Sequence, residues 1–109
     1  MHVDAQNENK MYGGAQDNST SRTQTGGLTD WNIIYGGDGF QPLVDPTNTN
    51  VIYALYQYGA LGKSTNNGNS FSNATNGISG GDRKNWDTPI TFDPTSSQTL
   101  YYGTNRLYK

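Results

Sequence analysis

The strongest constraint on the fold is a marker that recurs along the chain. A tripeptide beginning with Asp precedes a Tyr-containing run of β-forming residues three times, beginning at Asp4, Asp45 and Asp93. The second and third copies are both Asp-Pro-Thr and lie 48 residues apart, whereas the first, Asp-Ala-Gln, is a weaker copy 41 residues upstream. This alignment brings one tyrosine of each run into the same position, namely Tyr12, Tyr53 and Tyr101.

Two further markers recur in the same order. Gly-Gly-Asp ends at Asp38 and again at Asp82, each time just before the segment that leads to Asp-Pro-Thr. The segment 63–71 has a degraded echo at 22–31, in which Trp31 takes the place of Phe71. We therefore divide a single domain, 1–109, into approximate repeats 1–38, 39–82 and 83–109. A period of about 40–50 residues is typical of a β-propeller blade.

The residues within each unit predict strands throughout. Runs of Tyr, Val, Ile and Thr are interrupted by Gly, Asn-Gly and Asp-Pro, and no long window keeps a helical apolar period. Residues 51–56 are almost continuously apolar, which predicts a strand buried on both faces. The expected fold class is all-β, with four-stranded antiparallel sheets as β-propeller blades. The chain would hold two blades and most of a third, an incomplete propeller.

Composition excludes several classes of function. The 109 residues include no cysteine and one histidine, His2, so a thiolate site, a His-based triad and a histidine zinc site cannot be built. A net charge of -2 gives no electrostatic case for nucleic acid or an anionic membrane. Eight Tyr, three Phe and two Trp argue against disorder despite a mean hydropathy of -0.83. We expect no cofactor and no metal.

The segment 64–71, Ser-Thr-Asn-Asn-Gly-Asn-Ser-Phe, resembles the Asp-box of bacterial neuraminidase repeats, Ser-x-Asp-x-Gly-x-Thr-Trp. Asn66 replaces the Asp of that motif, Ser70 the Thr and Phe71 the Trp. The segments 12–18, 36–39 and 44–46, together with Trp31, look like those of secreted bacterial proteins with sortilin-like propellers. The resemblance covers nearly the whole chain and implies a secreted or cell-surface parent protein, although no signal peptide is visible here. It does not imply one function, because such folds host many.

A structural role is the expected one for the Asp-box residues, which are Ser64, Asn66, Gly68, Ser70 and Phe71. An Asn side chain can bond the amides of its own turn, and Gly68 supplies a positive φ. Phe71 then holds the hairpin against the blade. The segment 16–18, Gln-Asp-Asn, is likewise expected to form a turn.

The candidate ligand-binding residues are Asp38, Asp82 and Trp86. An aspartate at the rim of a blade could bind a cation or act on a glycan as acid or base, since paired carboxylates carry out glycoside hydrolysis. Asp38 and Asp82 occupy similar places in adjacent repeats, however, as a repeated structural residue would. Trp86 lies in a polar loop and is the candidate contact aromatic, whereas Trp31 is assigned to the core.

These observations favour a non-catalytic repeat module that serves as a structural or interaction scaffold. Three blades with two bare ends predict a homo-oligomer, formed through blade faces and strand edges, or a piece cut from a longer protein. The alternative is a part of a carbohydrate-binding or glycoside-hydrolase propeller, similar to sialidases or xyloglucan-cleaving enzymes, with a glycan as ligand. The chain lacks the arginine cluster of sialidases, and its one glutamate is Glu8.

Overall fold

A computed structural model describes all residues from 1 to 109 and shows an all-β chain of three antiparallel sheets. Sheet A is a meander of four strands, β1 (His2–Asp4), β2 (Asn7–Gly14), β3 (Thr20–Thr23) and β4 (Asn32–Tyr35). Sheet B repeats this order with β5 (Leu43–Asp45), β6 (Asn48–Tyr56), β7 (Ala60–Ser64) and β8 (Ser72–Asn73). Sheet C has three strands, β9 (Ile90–Asp93), β10 (Ser96–Gly103) and β11 (Leu107–Tyr108). The one helical segment is a single 3-10 turn, Gln57–Gly59, between β6 and β7.

The first hairpin of every sheet turns at the Asp marker. The Oδ1 atom of Asp4 accepts a hydrogen bond from the backbone N–H two residues later at 2.9 Å, and the equivalent bonds of Asp45 and Asp93 measure 2.7 and 2.8 Å. Asp favours such turns because its short side chain reaches its own backbone. In the second and third sheets the hydroxyl of the following Thr donates to the same oxygen. The repeated Asp therefore stabilises the turn of the first hairpin in each sheet.

The three aligned tyrosines occupy one register position. Tyr12 pairs with His2, Tyr53 with Leu43 and Tyr101 with Thr91. Each of those partners lies two residues before the Asp of its own sheet. The three tyrosines that were aligned from the sequence therefore share one position in the strand pairing.

Sheet B lies between the other two and is packed on both faces. Ile52 joins Val44 and Tyr12 of sheet A in one buried cluster, against which Ile34 also packs. On the opposite side, Leu55 joins two residues of a second cluster, Leu61 and Tyr102. The apolar side chains of β6 thus pack against a sheet on each side, as predicted. The apolar run ends at Tyr56, which is exposed.

The two ends of the sheets form two rims with different contacts. At one rim the Asp turns of successive sheets touch: Gln6 Nε2 donates to the Pro46 carbonyl at 3.2 Å, and the Thr47 and Ser97 hydroxyls lie 3.1 Å apart. The strands β1 and β5 also approach each other. We call the other end the hairpin rim. It carries the β2–β3, β6–β7 and β10–β11 turns together with the linkers 36–42 and 74–89.

Candidate functional site

In the segment 64–71, which resembles an Asp-box, the side chains of Ser64, Asn66 and Ser70 bond within their own turn. Ser64 Oγ accepts the N–H groups of Asn66 and Gly68 at 3.3 and 2.9 Å, and it donates to Asn66 Oδ1 at 2.9 Å. Asn66 Oδ1 also accepts the Ser70 N–H at 3.0 Å, while Asn66 Nδ2 donates to the Ser70 hydroxyl at 2.8 Å. Gly68 has a φ of +77°, as the sequence predicted. The carboxamide thus closes the turn by hydrogen bonding alone.

The same turn fastens sheet B to sheet A. The Phe71 ring packs on the cluster of Tyr12 and lies 4.8 Å from the ring of Tyr35. The carbonyl of Asn67 accepts a hydrogen bond from the buried guanidinium of Arg22. The side chain of Asn67 accepts another from the Lys10 ammonium at 2.8 Å. These contacts are those of a structural element that joins two sheets.

The degraded echo forms a similar turn, but its aromatic residue has no neighbouring sheet to pack against. Thr23 Oγ1 accepts the N–H groups of Thr25 and Gly26 at 3.2 and 3.1 Å, as Ser64 does in the second sheet. The Thr23 hydroxyl, and next that of Thr25, donate to Asp30 and lower the pKa of its carboxyl. The assignment of Trp31 to the core is wrong, because its side chain is 36% exposed on the outer face of sheet A. No other sheet of the chain covers that face.

Asp38 is buried at the hairpin rim and connects two sheets. Its Oδ1 atom accepts the N–H of Asp17 in the β2–β3 turn at 2.6 Å, and its own N–H donates to Gln57 Oε1 at 3.2 Å. The turn at Asp17 is the one predicted for the Gln-Asp-Asn segment. Close approach explains the neighbouring glycine: a Cβ on Gly39 would stand 2.0 Å from the carbonyl oxygen of Ser19. The Asp38 carboxylate is therefore used in packing one hairpin against a linker.

Asp82 makes a different set of contacts. Its Oδ2 atom accepts the hydroxyls of Tyr108 and Thr104, the latter at 2.9 Å, and Arg106 Nε lies 3.7 Å from Oδ1. The Tyr108 hydroxyl contributes most to holding the pKa of the Asp82 carboxyl below its usual range, although partial desolvation opposes it. Asp82 thus binds the turn of the sheet that follows it, whereas Asp38 binds the turn of the sheet before it. The two aspartates are not equivalent, because the linker before sheet C is longer than the one before sheet B.

Trp86 lies in the linker before sheet C, as predicted, and belongs to an aromatic group. Its indole is 41% exposed and stands almost perpendicular to the Tyr58 ring, with centroids 5.1 Å apart. Phe40 is a second edge-on neighbour at 6.1 Å. Tyr58 N–H donates to the Trp86 carbonyl at 3.1 Å, which ties the β6–β7 turn to the linker. Tyr58 was not among the predicted site residues, although the Gly59 that follows it at the end of an apolar run is typical of a tight turn.

Tyr58 is also strained. Its φ of +57° is uncommon for a bulky residue and costs of order 1–3 kcal/mol unless the surroundings compensate. The side chain is nevertheless 61% exposed, so it gains little from burial. Packing therefore does not explain why Tyr58 holds a strained, exposed position beside the exposed ring of Trp86.

The candidate residues therefore lie along one rim without converging on one centre. Asp38 and Trp86 both bond the β6–β7 turn, through Gln57 and Tyr58, while Asp82 bonds the β10–β11 turn. No group of three or more His, Asp or Glu side chains is placed to hold a metal ion. The structure also contains no helix with the length and apolar character needed to cross a membrane. Comparison of the chain with protein-family models, with curated proteins and with solved structures gave no match.

Proposed function

We propose that the chain is a non-catalytic repeat module of the β-propeller type that serves as a structural and interaction scaffold. The repeated strand order, the shared Asp turns and the approach of β1 to β5 support a radial arrangement of blade-like sheets. The contacts of the two aspartates that the sequence offered as a possible catalytic pair also support this proposal. Asp38 and Asp82 accept hydrogen bonds from two different turns rather than facing each other across a shared groove.

The outer faces of the two end sheets carry the case for self-assembly. On sheet A, Val3, Trp31 and Ile33 are exposed by 47%, 36% and 68%. On sheet C, Leu107 is 74% exposed beside an apolar groove of about 160 Å³ that Tyr101 and Pro89 also line. Large apolar side chains gathered on a sheet face mark an interaction surface.

These end faces repeat the pattern of the internal interfaces. Tyr12 and Tyr53 each face the sheet that follows them, and Tyr101, at the same register position, has no following sheet to face. Likewise, Ile52 and Leu100 face the sheet that precedes them, while their counterpart on β2, Met11, lies on the outer face of sheet A. A second copy that places its sheet A on sheet C would continue the stack.

A closed ring is the simplest result of such head-to-tail contact. Propellers typically contain four to eight blades, so two chains of three sheets would fall within that range. The three-stranded sheet C also leaves the edge of β11 free to pair with a strand of the neighbouring copy. In a longer parent protein, which we propose is secreted or at the cell surface, further repeats would cover the same faces.

Light scattering coupled to size exclusion tests this proposal on the chain at micromolar concentration. We expect a discrete multimer that Ile33→Lys and Leu107→Lys each convert into a monomer, because each change places a charge in the contact. Asn76→Lys is the matched control, since it adds the same charge at an exposed position outside both end faces. A well-folded wild-type monomer, judged by its circular dichroism, would refute self-assembly.

A second candidate function, the binding of a carbohydrate as part of a glycan-binding or glycoside-hydrolase propeller, is favoured by the exposed pair of Tyr58 and Trp86. A glycan array followed by hydrolysis assays on xyloglucan and sialosides separates binding from catalysis. Signals on the array without hydrolysis would support a binding module.

A further inference from the structure

A polar groove lies at the hairpin rim between the linker before sheet C and the β10–β11 turn. Its volume is about 350 Å³, within the usual range of small-molecule sites. Arg83, Lys84 and Asn85 form its linker side, and Thr104 and Asn105 form its other side. No Asp or Glu side chain lines the groove.

Hydrogen bonds fix the two sides of the groove relative to each other. Arg83 N–H donates to Asn105 Oδ1 at 3.0 Å, and Asn105 N–H donates back to the Arg83 carbonyl at 3.0 Å. The Thr104 hydroxyl is held by Asp82. The backbone that carries the basic side chains is therefore set in place before a ligand arrives, which reduces the entropy cost of binding.

The two cations of the groove have no carboxylate partner. Two other cations do have such a partner, since Lys10 lies 3.7 Å from Asp4 and Arg106, beside this groove, lies 3.7 Å from Asp82. Arg83 forms no ion pair, and the Lys84 ammonium reaches only the Ser79 carbonyl, at 3.5 Å. An anionic group in this groove would meet positive charge that the protein has not already neutralised.

Lys84 also lines a second groove, so the two grooves adjoin at this residue. This neighbouring groove measures about 200 Å³ and is bordered by Tyr58, Asn73 and Thr75. Tyr58 is the strained and exposed residue whose backbone is tied to Trp86. A ligand lying across Lys84 would meet cationic donors on one side and the Tyr58 ring with amide and hydroxyl groups on the other.

We propose that these two adjoining grooves, which we call the linker site, bind an acidic oligosaccharide. Arg83 would donate two parallel hydrogen bonds to the sugar carboxylate and Lys84 would add a point charge, as these groups do with carboxylates generally. The Tyr58 ring would contact the apolar face of a neighbouring sugar ring. The side-chain amides of Asn73 and Asn105 would hydrogen-bond the sugar hydroxyls. An exposed aromatic ring beside carboxamides matches a sugar chain better than an acidic peptide.

The proposal deepens the carbohydrate-binding candidate and is independent of self-assembly, which light scattering reports separately. The test is isothermal titration of the whole chain with tetragalacturonate, and with its methyl ester as a neutral ligand of the same shape. We expect binding of the acid that is at least about tenfold tighter than that of the ester. The double variant Arg83→Gln/Lys84→Gln should lose that preference, and Tyr58→Ala should weaken both ligands.

Lys63→Gln is the control, because Lys63 lies over the Tyr53 ring in a different groove between sheets B and C and should leave binding unchanged. Three results would overturn the proposal. They are no binding of tetragalacturonate at millimolar concentration, equal binding of acid and ester, and equal binding of a glutamate decapeptide. Circular dichroism of each variant checks that a loss of binding does not follow from unfolding.

Discussion

Replacing Gly68 by Ala tests whether the turn at 64–71 stabilises the fold through its backbone conformation. Gly68 has a φ of +77°, and a Cβ added there would lie 3.1 Å from a guanidinium nitrogen of Arg22. That guanidinium is buried and donates to the carbonyl of Asn67, so it cannot move away without weakening a hydrogen bond. Two separate costs therefore apply, a strained backbone and a displaced partner.

Two other glycines separate these costs. Gly77 has a φ of +87° with no heavy atom within 4 Å of an added Cβ, whereas Gly80 has equally open space and no positive φ. The strain of Ala at positive φ is about 1 kcal/mol or more, and the weakened Arg22 bond adds about 1 kcal/mol. We expect Gly68→Ala to lower the free energy of unfolding by about 2 kcal/mol and Gly77→Ala by about 1 kcal/mol. Gly80→Ala should be neutral or stabilising, by up to about 1 kcal/mol.

The measurement is urea or thermal unfolding of the three variants and the wild type at one protein concentration. For a chain of this size, 1 kcal/mol shifts Tm by about 4 °C, so the three variants should be clearly resolved. An unchanged Tm for Gly68→Ala would show that the Asp-box assignment is wrong. Equal losses for Gly68→Ala and Gly77→Ala would show instead that only the backbone strain matters.

Three further predictions concern the other groups of the structure. Tyr102→Phe removes the buried hydroxyl that donates to the Gly59 carbonyl at 2.7 Å, and it should lower the free energy of unfolding by about 1–2 kcal/mol in a urea titration; no change would contradict this role. The hydrogen bonds from the Thr95 hydroxyl and N–H, together with that of a tyrosine hydroxyl, lower the pKa of Asp93 from 3.8 to about 2. The stabilisation from Asp93 is therefore present above about pH 4 and is lost as the pH falls toward 2, which a carboxyl NMR titration checks directly; a midpoint near 3.8 would refute it. The chain should hydrolyse no chromogenic glycoside, and turnover that disappears in Asp38→Asn would contradict the non-catalytic proposal.

The sequence by itself determined the features that depend on short stretches of chain. The Asp turns, the positive φ of Gly68 and the register of Tyr12, Tyr53 and Tyr101 were all readable from repeated residues. The hydrogen bonds of a turn join residues only a few positions apart in the chain, and the turn then fixes the register of the two strands that it connects. The turn residues in the sequence therefore indicate both where each hairpin turns and which residues of its two strands pair.

Only the tertiary structure decided which repeated residues share an environment. Phe71 packs against sheet A, while Trp31, at the corresponding place in the first repeat, lies on a face that no other sheet of the chain covers. Asp38 and Asp82 follow the same Gly-Gly motif, yet linkers of different length direct them to different turns. The pairing of Tyr58 with Trp86 joins residues 28 positions apart. Burial and side-chain partners depend on which sheet stands next in space, and a repeat in sequence specifies each sheet without specifying its neighbours.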